Sequence, residues 1–308
     1  MFIKDEPLTD DKIRDGRYRL IHCLAIEDQL VDRCLFHPWV GVEVRNVGSV
    51  VSKAGWSPLP GGYKALSTVF PDGGSVAVDK SAWDWTMPPW VVEAYLQVKK
   101  LQCHGWDDRY ERAVRTRLAQ VVGPLATIRL CNGLEFKQEG WGIMKSGWLL
   151  TLSMNSMAQL NQHALACFRM GENDPPLMWA MGDDSLIRMK HDAQVLDQYE
   201  KALATTGCLV KKSVLKREFC GVRIEGDLEV SVTPLYIDKH KFVLSYVEPR
   251  YEQDTLQSYM LLYSLSADRW VDEYKDRLDL NYGPLYPLWA KGLIKLQVLD
   301  NIPPWASW

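Results

Sequence analysis

The chain is 308 residues long, with 47% hydrophobic and 24% charged residues and a formal net charge of −3. That length holds one large domain or two ordinary ones around a substantial core. The balance of residues excludes a disordered tail, a collagen-like repeat and a disulfide-knotted mini-protein. With so small a negative charge the whole-molecule field cannot drive binding to nucleic acid or an anionic membrane, so any RNA or DNA contact needs a local basic surface.

Residues 4–19 are dense in both signs of charge and by themselves read as a solvated charged loop. Residues 55–62 (Gly-Trp-Ser-Pro-Leu-Pro-Gly-Gly) are loop punctuation. Ser75 to Asp79 predicts a short buried strand ending in an acid. Pro88 and Pro89 suit the first turn of a helix that Trp90, Val91, Ala94, Tyr95 and Val98 continue. A second helix is expected over 108–122, and a hairpin over 125–130 and 134–138 around the turn Cys131-Asn132-Gly133. Apolar spacing is helical from Ser146 to about Arg169.

Pro176 to Met181 then predicts a strand, Gly182-Asp183-Asp184 a tight turn, and Ser185 to Met189 the returning strand. A helix over 193–206 should stop at Gly207. Glu218 to Ile224 and Asp227 to Val232 form a second β-rich stretch. From about Tyr251 to the end the pattern is helical, broken at Gly283-Pro284. A mixed α and β middle thus precedes a mostly helical tail, with a boundary near residue 235. There is no internal repeat.

Thirteen tryptophans, from Trp39 to Trp308, read as bulky packing. The seven cysteines include no CxxC pair, which suits a reducing compartment where most are small buried apolar residues. The six histidines show neither HxxxH nor HExxH spacing, so zinc is not expected. Lys4, Asp5 and Glu6 stand where a signal peptide would be apolar, and no apolar run approaches the ~20 residues that span a bilayer. A soluble intracellular protein is expected.

Two places carry chemistry. Asp79 ends a predicted strand, with Asp84 five residues on, and Asp183 and Asp184 sit at a predicted hairpin tip. Carboxylates on strand ends and turns can converge while their backbones stay rigid. Hard divalent cations need such oxygen ligands, few enough to leave room for substrate phosphates. Two ions ~4 Å apart would stabilise the attacking and leaving oxygens of an in-line phosphoryl displacement. Taken singly, Gly182-Asp183-Asp184 also reads as a solvated β-turn, and Asp84 as a helix N-cap or loop carboxylate. Between them, Ser146 to Asn155 has the form S-G-x3-T-x3-N, which places Thr151 and Asn155 one turn apart on one helix face.

With Asp79-Lys-Ser-Ala-Trp-Asp84 as motif A, Ser146 to Asn155 as motif B and Gly182-Asp183-Asp184 as motif C, the chain resembles the RNA-dependent RNA polymerases of positive-strand RNA viruses. Asp79 to Thr86 and Glu218-Phe-Cys-Gly221 resemble most the sobemovirus, polerovirus and sobemo-like group. Lys4-Asp5-Glu6 with Lys12 to Ile21 resembles motif F of the same enzymes. The resemblance covers roughly residues 3–224 and implies an α+β right-hand polymerase: a palm of antiparallel sheet flanked by helices, partial fingers and a short helical thumb. The implied domains are fingers over 1–75, palm over 76–235 with a fingers insertion around 104–140, and thumb over 236–308.

The resemblance implies that Asp79 and Asp183, with Asp184 alongside, hold two Mg²⁺ (or Mn²⁺) ions. Asp84 and Asn155 would form a hydrogen-bonded pair that reads the ribose hydroxyls, the 2′-hydroxyl being what separates RNA from DNA. Ser146 and Gly147 would shape a mobile loop and Thr151 support the ribose pair. Arg19 and Arg17 would meet the triphosphate, with Lys4 and Lys12 along the nucleotide and template path. Lys212, with Lys211 and Lys216 as alternatives, would be the general acid of motif D. Cys220 would lie near the primer grip or be an inert thiol. The implied partners are template and nascent RNA, ribonucleoside triphosphates and other viral replication proteins, in the cytoplasm of an infected host cell.

The chain begins almost at motif F, without a counterpart of motif G, and its tail is short for a full thumb. A partial polymerase or one part of a longer polyprotein is therefore expected, synthesising RNA poorly alone. A reverse transcriptase would place Tyr or Phe-x before the two acids and use a steric gate, which Met181-Gly182 and the Asp84 and Asn155 positions oppose. A non-catalytic RNA-binding protein on a decayed palm would lack acids that are all present here. A metal-dependent nuclease leaves motifs B and F unexplained.

Overall fold

The computed structural model describes residues 1–211, 213–277 and 285–294. In chain order the elements are β1 (Phe2–Ile3), α1 (Asp10–Arg14), β2 (Leu20–Ile21), α2 (Ile26–Arg45), α3 (Gly62–Val69), β3 (Ser75–Val78) and α4 (Trp83–Thr86). There follow α5 (Trp90–Gln102), α6 (Asp108–Val122), β4 (Thr127–Arg129), β5 (Glu135–Lys137), α7 (Thr151–Arg169), β6 (Met178–Met181), β7 (Asp184–Arg188) and α8 (Ala193–Ala204). The last are β8 (Glu218–Phe219), β9 (Val222–Glu225), β10 (Ser231–Pro234), α9 (Ile237–Tyr246), α10 (Glu252–Leu262) and α11 (Tyr286–Ala290), with single 3₁₀ segments at Pro249–Tyr251 and Trp270–Arg277.

The chain divides into two compact units. One comprises residues 1–54, 78–187 and 192–213, the other 55–77, 188–191 and 214–308. In the first, α7 packs against α5, α8 and β6. Local sequence sets the helix starts: Asp107 Oδ1 accepts from the Tyr110 N–H at 2.7 Å at the head of α6, and Asp192 Oδ1 accepts from Gln194 and Val195 at the head of α8. α7 begins five residues later than the expected Ser146. Gly147 has φ +104, outside the helical range, so residues before Thr151 form a loop.

The β6–β7 hairpin belongs to a three-stranded sheet of order β3-β7-β6, which β3 enters this unit through its last residue, Val78. Residues 51–53 extend the β6 edge in parallel: Ala180 N–H donates to Val51 O, and Lys53 N–H to Ala180 O at 2.8 Å. The β4–β5 hairpin forms about the expected Asn-Gly turn, with Ile128 opposite Phe136.

α2, the longest helix, has no counterpart among the expected elements. Pro38 lies in its interior, where a sequence reading takes a stop, and buried Asp32 and Glu43 interrupt any apolar stripe. Both acids are paired. Arg117 donates to Asp32 from Nε at 2.7 Å and Nη2 at 3.0 Å, while Glu43 meets Lys99 and accepts from Ser153 Oγ at 2.8 Å. Trp39 stacks on Trp106 and tilts onto Phe36 and Tyr95, so these tryptophans do pack the interior.

In the second unit, β10-β9-β8 form an antiparallel sheet. Phe219 pairs with Val222 across a two-residue turn whose Cys220 and Gly221 both have positive φ (+51° and +76°), the geometry of a type I′ hairpin. Arg217, buried, donates to Ile224 O, Phe70 O, Gly226 O and Asp227 Oδ1. Leu256, Met260, Tyr263, Trp270, Val271 and Tyr286 form a core that joins α10 to α11. α9 starts well before the expected Tyr251, while the expected break at Gly283-Pro284 lies outside the described residues. The cysteines depart from expectation: only Cys167 and Cys208 are buried, and Cys23, Cys34 and Cys131 are exposed. Among the described residues no helix is long and apolar enough to cross a membrane.

Candidate active site

All the side chains that converge here belong to the first unit. Backbone pairing builds the tip that carries the acids. Met181 opposes Asp184, which leaves Gly182 and Asp183 as a two-residue turn. Gly182 has φ +67, and a left-handed first turn residue is the position that favours glycine in a type II′ hairpin. Its N–H donates to Ser156 Oγ of α7 at 3.0 Å. Ser185 Oγ donates to the carbonyl of Val78 at 3.0 Å, holding the residue before Asp79 against the strand that Asp184 opens.

Asp79 is held from the other side. Lys211 N–H donates to Asp79 O, Ser81 N–H donates to Leu209 O, and Lys211 Nζ lies 2.7 Å from Asp79 Oδ2. A few residues on, Asp84 Oδ2 accepts from Ser146 Oγ, and Met144 N–H donates to Asp84 O at 2.7 Å. Trp83 Nε1 donates to Asn155 Oδ1 at 2.9 Å.

The acids feel one another. Partial desolvation pushes Asp184 up to about 6, and the negative charges of Asp183 and Asp79 push the same way while Arg19 opposes. Asp84 is raised above the usual carboxylate range, first by desolvation. Its Ser146 hydrogen bond opposes that rise, Asp183 adds to it, and Arg19 opposes. Three stretches far apart in the chain thus set four carboxylates and one guanidinium within a shared field.

Residues 1–226 match the family model for viral RNA-dependent RNA polymerase. The chain belongs to that family. It is 30% identical over 245 residues to the replicase polyprotein P2AB of Cocksfoot mottle virus, covering 78% of this chain and 24% of the relative. It is 31% identical over 223 residues to protein P1-P2 of Pea enation mosaic virus-1 (65% and 17%), and 27% identical over 230 residues to the RNA-directed RNA polymerase of Mushroom bacilliform virus (71% and 54%). The chain is of the sobemovirus and polerovirus-like kind. It spans a quarter or less of the two plant virus proteins and about half of the mushroom virus polymerase.

Members of this family work with divalent metal ions. The donor set fits such an ion: it is all carboxylate oxygen, and Asp79 already draws a cation, the Lys211 ammonium. Among the described residues no three His, Cys, Asp or Glu side chains stand close enough to hold an ion as they are.

The expected direct pair between Asp84 and Asn155 is not formed. Instead Ser146 Oγ donates to Asp84 Oδ2 and Trp83 Nε1 donates to Asn155 Oδ1. Thr151 likewise does not reach that pair, since its Oγ1 donates to Lys145 O at 2.8 Å, steadying the loop before α7. Gly147 sits where a Cβ would lie 2.6 Å from His22 O, and His22 N–H donates to Ser146 O at 3.0 Å.

In motif F, β1 and β2 pair, Lys4 N–H donates to Arg19 O, and Glu6 lies 3.4 Å from Lys4 and 3.6 Å from Arg19. Arg17 pairs with Asp15 at 2.8 Å, and Lys12 is exposed on α1. Of the motif F cations, Arg19 is the one whose charge acts on the acids. Lys212 lies outside the described residues.

Sequence reasoning missed Lys80, Trp83, Ser156, Gln159 and Gln162. Lys80 Nζ meets Gln159 Oε1 and, at 2.6 Å, Gln162 Oε1. The available signal was polar residues at Asn155, Gln159 and Gln162, which recur on one face of a helix otherwise read as apolar.

Proposed function

We propose that this chain carries the catalytic portion of a viral RNA-directed RNA polymerase, which adds ribonucleoside triphosphates to the 3′ end of RNA on an RNA template. The observation that carries the reading is the backbone pairing that sets Asp183 and Asp184 at the β6–β7 tip, with Ser185 Oγ on the carbonyl of Val78, the residue before Asp79. In this reading residues 1–75 are partial fingers, 76–235 the palm, and 236–308 the thumb.

Asp79 and Asp183 would hold the metal, with Asp184 alongside. The chemistry supplied there, once Mg²⁺ or Mn²⁺ is bound as a pair, is stabilisation of the attacking 3′-oxygen and the leaving pyrophosphate. Lys211 would give up Asp79 Oδ2 as a cation enters, which frees its ammonium near the site. Arg19 would leave Glu6, with which it shares only a 3.6 Å contact, to take the triphosphate. Lys12 and Lys4 would line the path of nucleotide and template, and Arg17 would join Arg19 on the phosphates. Lys212 would protonate pyrophosphate.

Asp84 and Asn155 would exchange their present partners for the ribose. Asp84 accepts from a 2′-hydroxyl, and the Asn155 amide can donate to it. Ser146, which now holds Asp84, would move with the loop that Gly147 shapes and Thr151 steadies. RNA, nucleotides and further viral replication proteins would be the partners, in the cytoplasm of the host cell.

Primer extension by the chain on an RNA template tests this. Asp183→Ala should lower ribonucleotide incorporation by about a thousandfold or more, as loss of a metal ligand does, with RNA affinity within about twofold of the parent. Incorporation that survives Asp183→Ala would sink the catalytic reading. Deoxyribonucleotides incorporated as well as ribonucleotides would favour a reverse transcriptase.

A further inference from the structure

Lys80 follows Asp79 directly and is only 5% exposed. A lysine so buried is rare unless its ammonium is met by partners. Here the partners are the carbonyl oxygens of Gln159 and Gln162, three residues apart on α7 and both fully buried. The Gln162 amide donates in turn to Thr206 Oγ1 at 3.0 Å, and the ammonium lies 5.0 Å from the ring centroid of Trp83. None of these partners is an anion. Burial pushes the Lys80 ammonium down to about 8, and the charges of Cys208 and Asp183 oppose that fall.

The same helix holds motif A again through Asn155, which takes Trp83, and motif C through Ser156, which takes Gly182. α7 therefore receives the neighbour of Asp79, the neighbour of Asp84 and the neighbour of Asp183. An unneutralised ammonium is fixed at the first of these three points.

We propose that Lys80 is a positioning residue which anchors motif A on α7 and whose fixed positive charge keeps the resting affinity of the carboxylates for divalent cations low. This rests on the catalytic reading above. Carboxylates gathered without a counter-charge bind divalent ions strongly by themselves. A buried cation on the residue next to Asp79 opposes that, so that ions are taken up chiefly with the added negative charge of a triphosphate. The repulsion between one buried charge and a divalent ion is large enough to matter at such range, because protein screens it less than water does.

Binding of Mn²⁺ to the full chain at pH 7.0 without nucleotide, followed by the electron paramagnetic resonance signal of free Mn²⁺, tests the proposal. Lys80→Met, which keeps the stem and removes the charge, should bind Mn²⁺ on the order of tenfold more tightly. Lys80→Arg, which keeps the charge, should stay near the parent value. Loss of a merely structural lysine would weaken binding, so the direction of the change is decisive. Should Lys80→Met fail to fold by circular dichroism, Gln162→Glu gives the ammonium an adjacent anion and should also tighten binding. Unchanged or weaker binding in the folded Lys80→Met or Gln162→Glu chain overturns the proposal. Asp183→Ala serves as the separate control: Mn²⁺ binding that it abolishes while Lys80→Met leaves binding unchanged overturns the role of Lys80 and spares the catalytic reading.

Discussion

His163 gives the sharpest test of how α7 is held. Its ring is fully buried, with Nδ1 2.9 Å from the Tyr199 hydroxyl and Nε2 2.8 Å from Pro176 O. A carbonyl can only accept, so Nε2 carries the proton and Nδ1 accepts from Tyr199. Burial holds the imidazole below its ordinary range; the Pro176 bond opposes this and the charge of Lys80 adds to it. His163→Phe keeps much of the volume but removes both bonds and leaves Tyr199 and Pro176 with buried polar atoms unmet.

At a net ~1 kcal/mol per lost bond plus the desolvation of the stranded groups, the expected loss is about 3 kcal/mol at pH 7.5. The pH dependence follows from the sign of the shift. The unfolded histidine takes a proton below about pH 6.5 while the folded one resists, so the stability tied to neutral His163 is complete above that value and is lost as pH falls. The loss in the parent runs at up to about 1.4 kcal/mol per pH unit, and the Phe variant has no such proton to gain. Urea unfolding followed by circular dichroism between pH 7.5 and 5.5 should show a gap between the two chains that narrows in acid. A gap under ~1 kcal/mol at pH 7.5, or one that does not narrow, would refute this account of the histidine.

Arg217→Lys keeps the charge but not the fork, and one ammonium cannot reach three carbonyls and Asp227 at once. It should cost the second unit about 2–4 kcal/mol, read as a lower urea midpoint, and an unchanged midpoint would count against the reach argument. Gly147→Ala places a Cβ 2.6 Å from His22 O at φ +104. It should lower stability by about 1–3 kcal/mol and slow primer extension about tenfold. Extension at the parent rate would mean that the loop is not tied to His22.

Much of the site could be read from the sequence because its parts are local. A glycine before two acids between apolar runs points to a tight turn, and Gly182 stands in such a turn with positive φ. β3 covers Ser75–Val78, so Asp79 directly follows the short buried strand that was expected to end on it. The helix over 108–122 is likewise where it was expected, and the hairpin about Gly133 is where its Asn-Gly turn placed it. α2 escaped because tertiary partners override its local signals: Arg117 and Lys99 meet the acids that break its apolar pattern. The Asp84–Asn155 pair was implied by the family resemblance, and Ser146 and Trp83, from other turns of the chain, claimed those oxygens.

What the pattern could not reveal is the use made of the interior of α7. A helix packed on several sides normally buries apolar residues, as this one does with Met154, Ala158 and Ala166. Yet Ser153, Asn155, Ser156, Gln159, Gln162 and His163 are buried among them, each bonded to a residue outside α7. Apolar contacts are non-directional and let packed segments slide by a fraction of a turn at little cost. Hydrogen bonds to buried groups do not, because each slip strands a donor or acceptor away from water. A centre whose acids arrive on separate stretches of chain needs that second kind of hold. Lys80, Trp83 and Gly182, the residues beside Asp79, Asp84 and Asp183, are among those bonded to α7, so each acid is tied to the helix through its neighbour rather than through its own carboxylate.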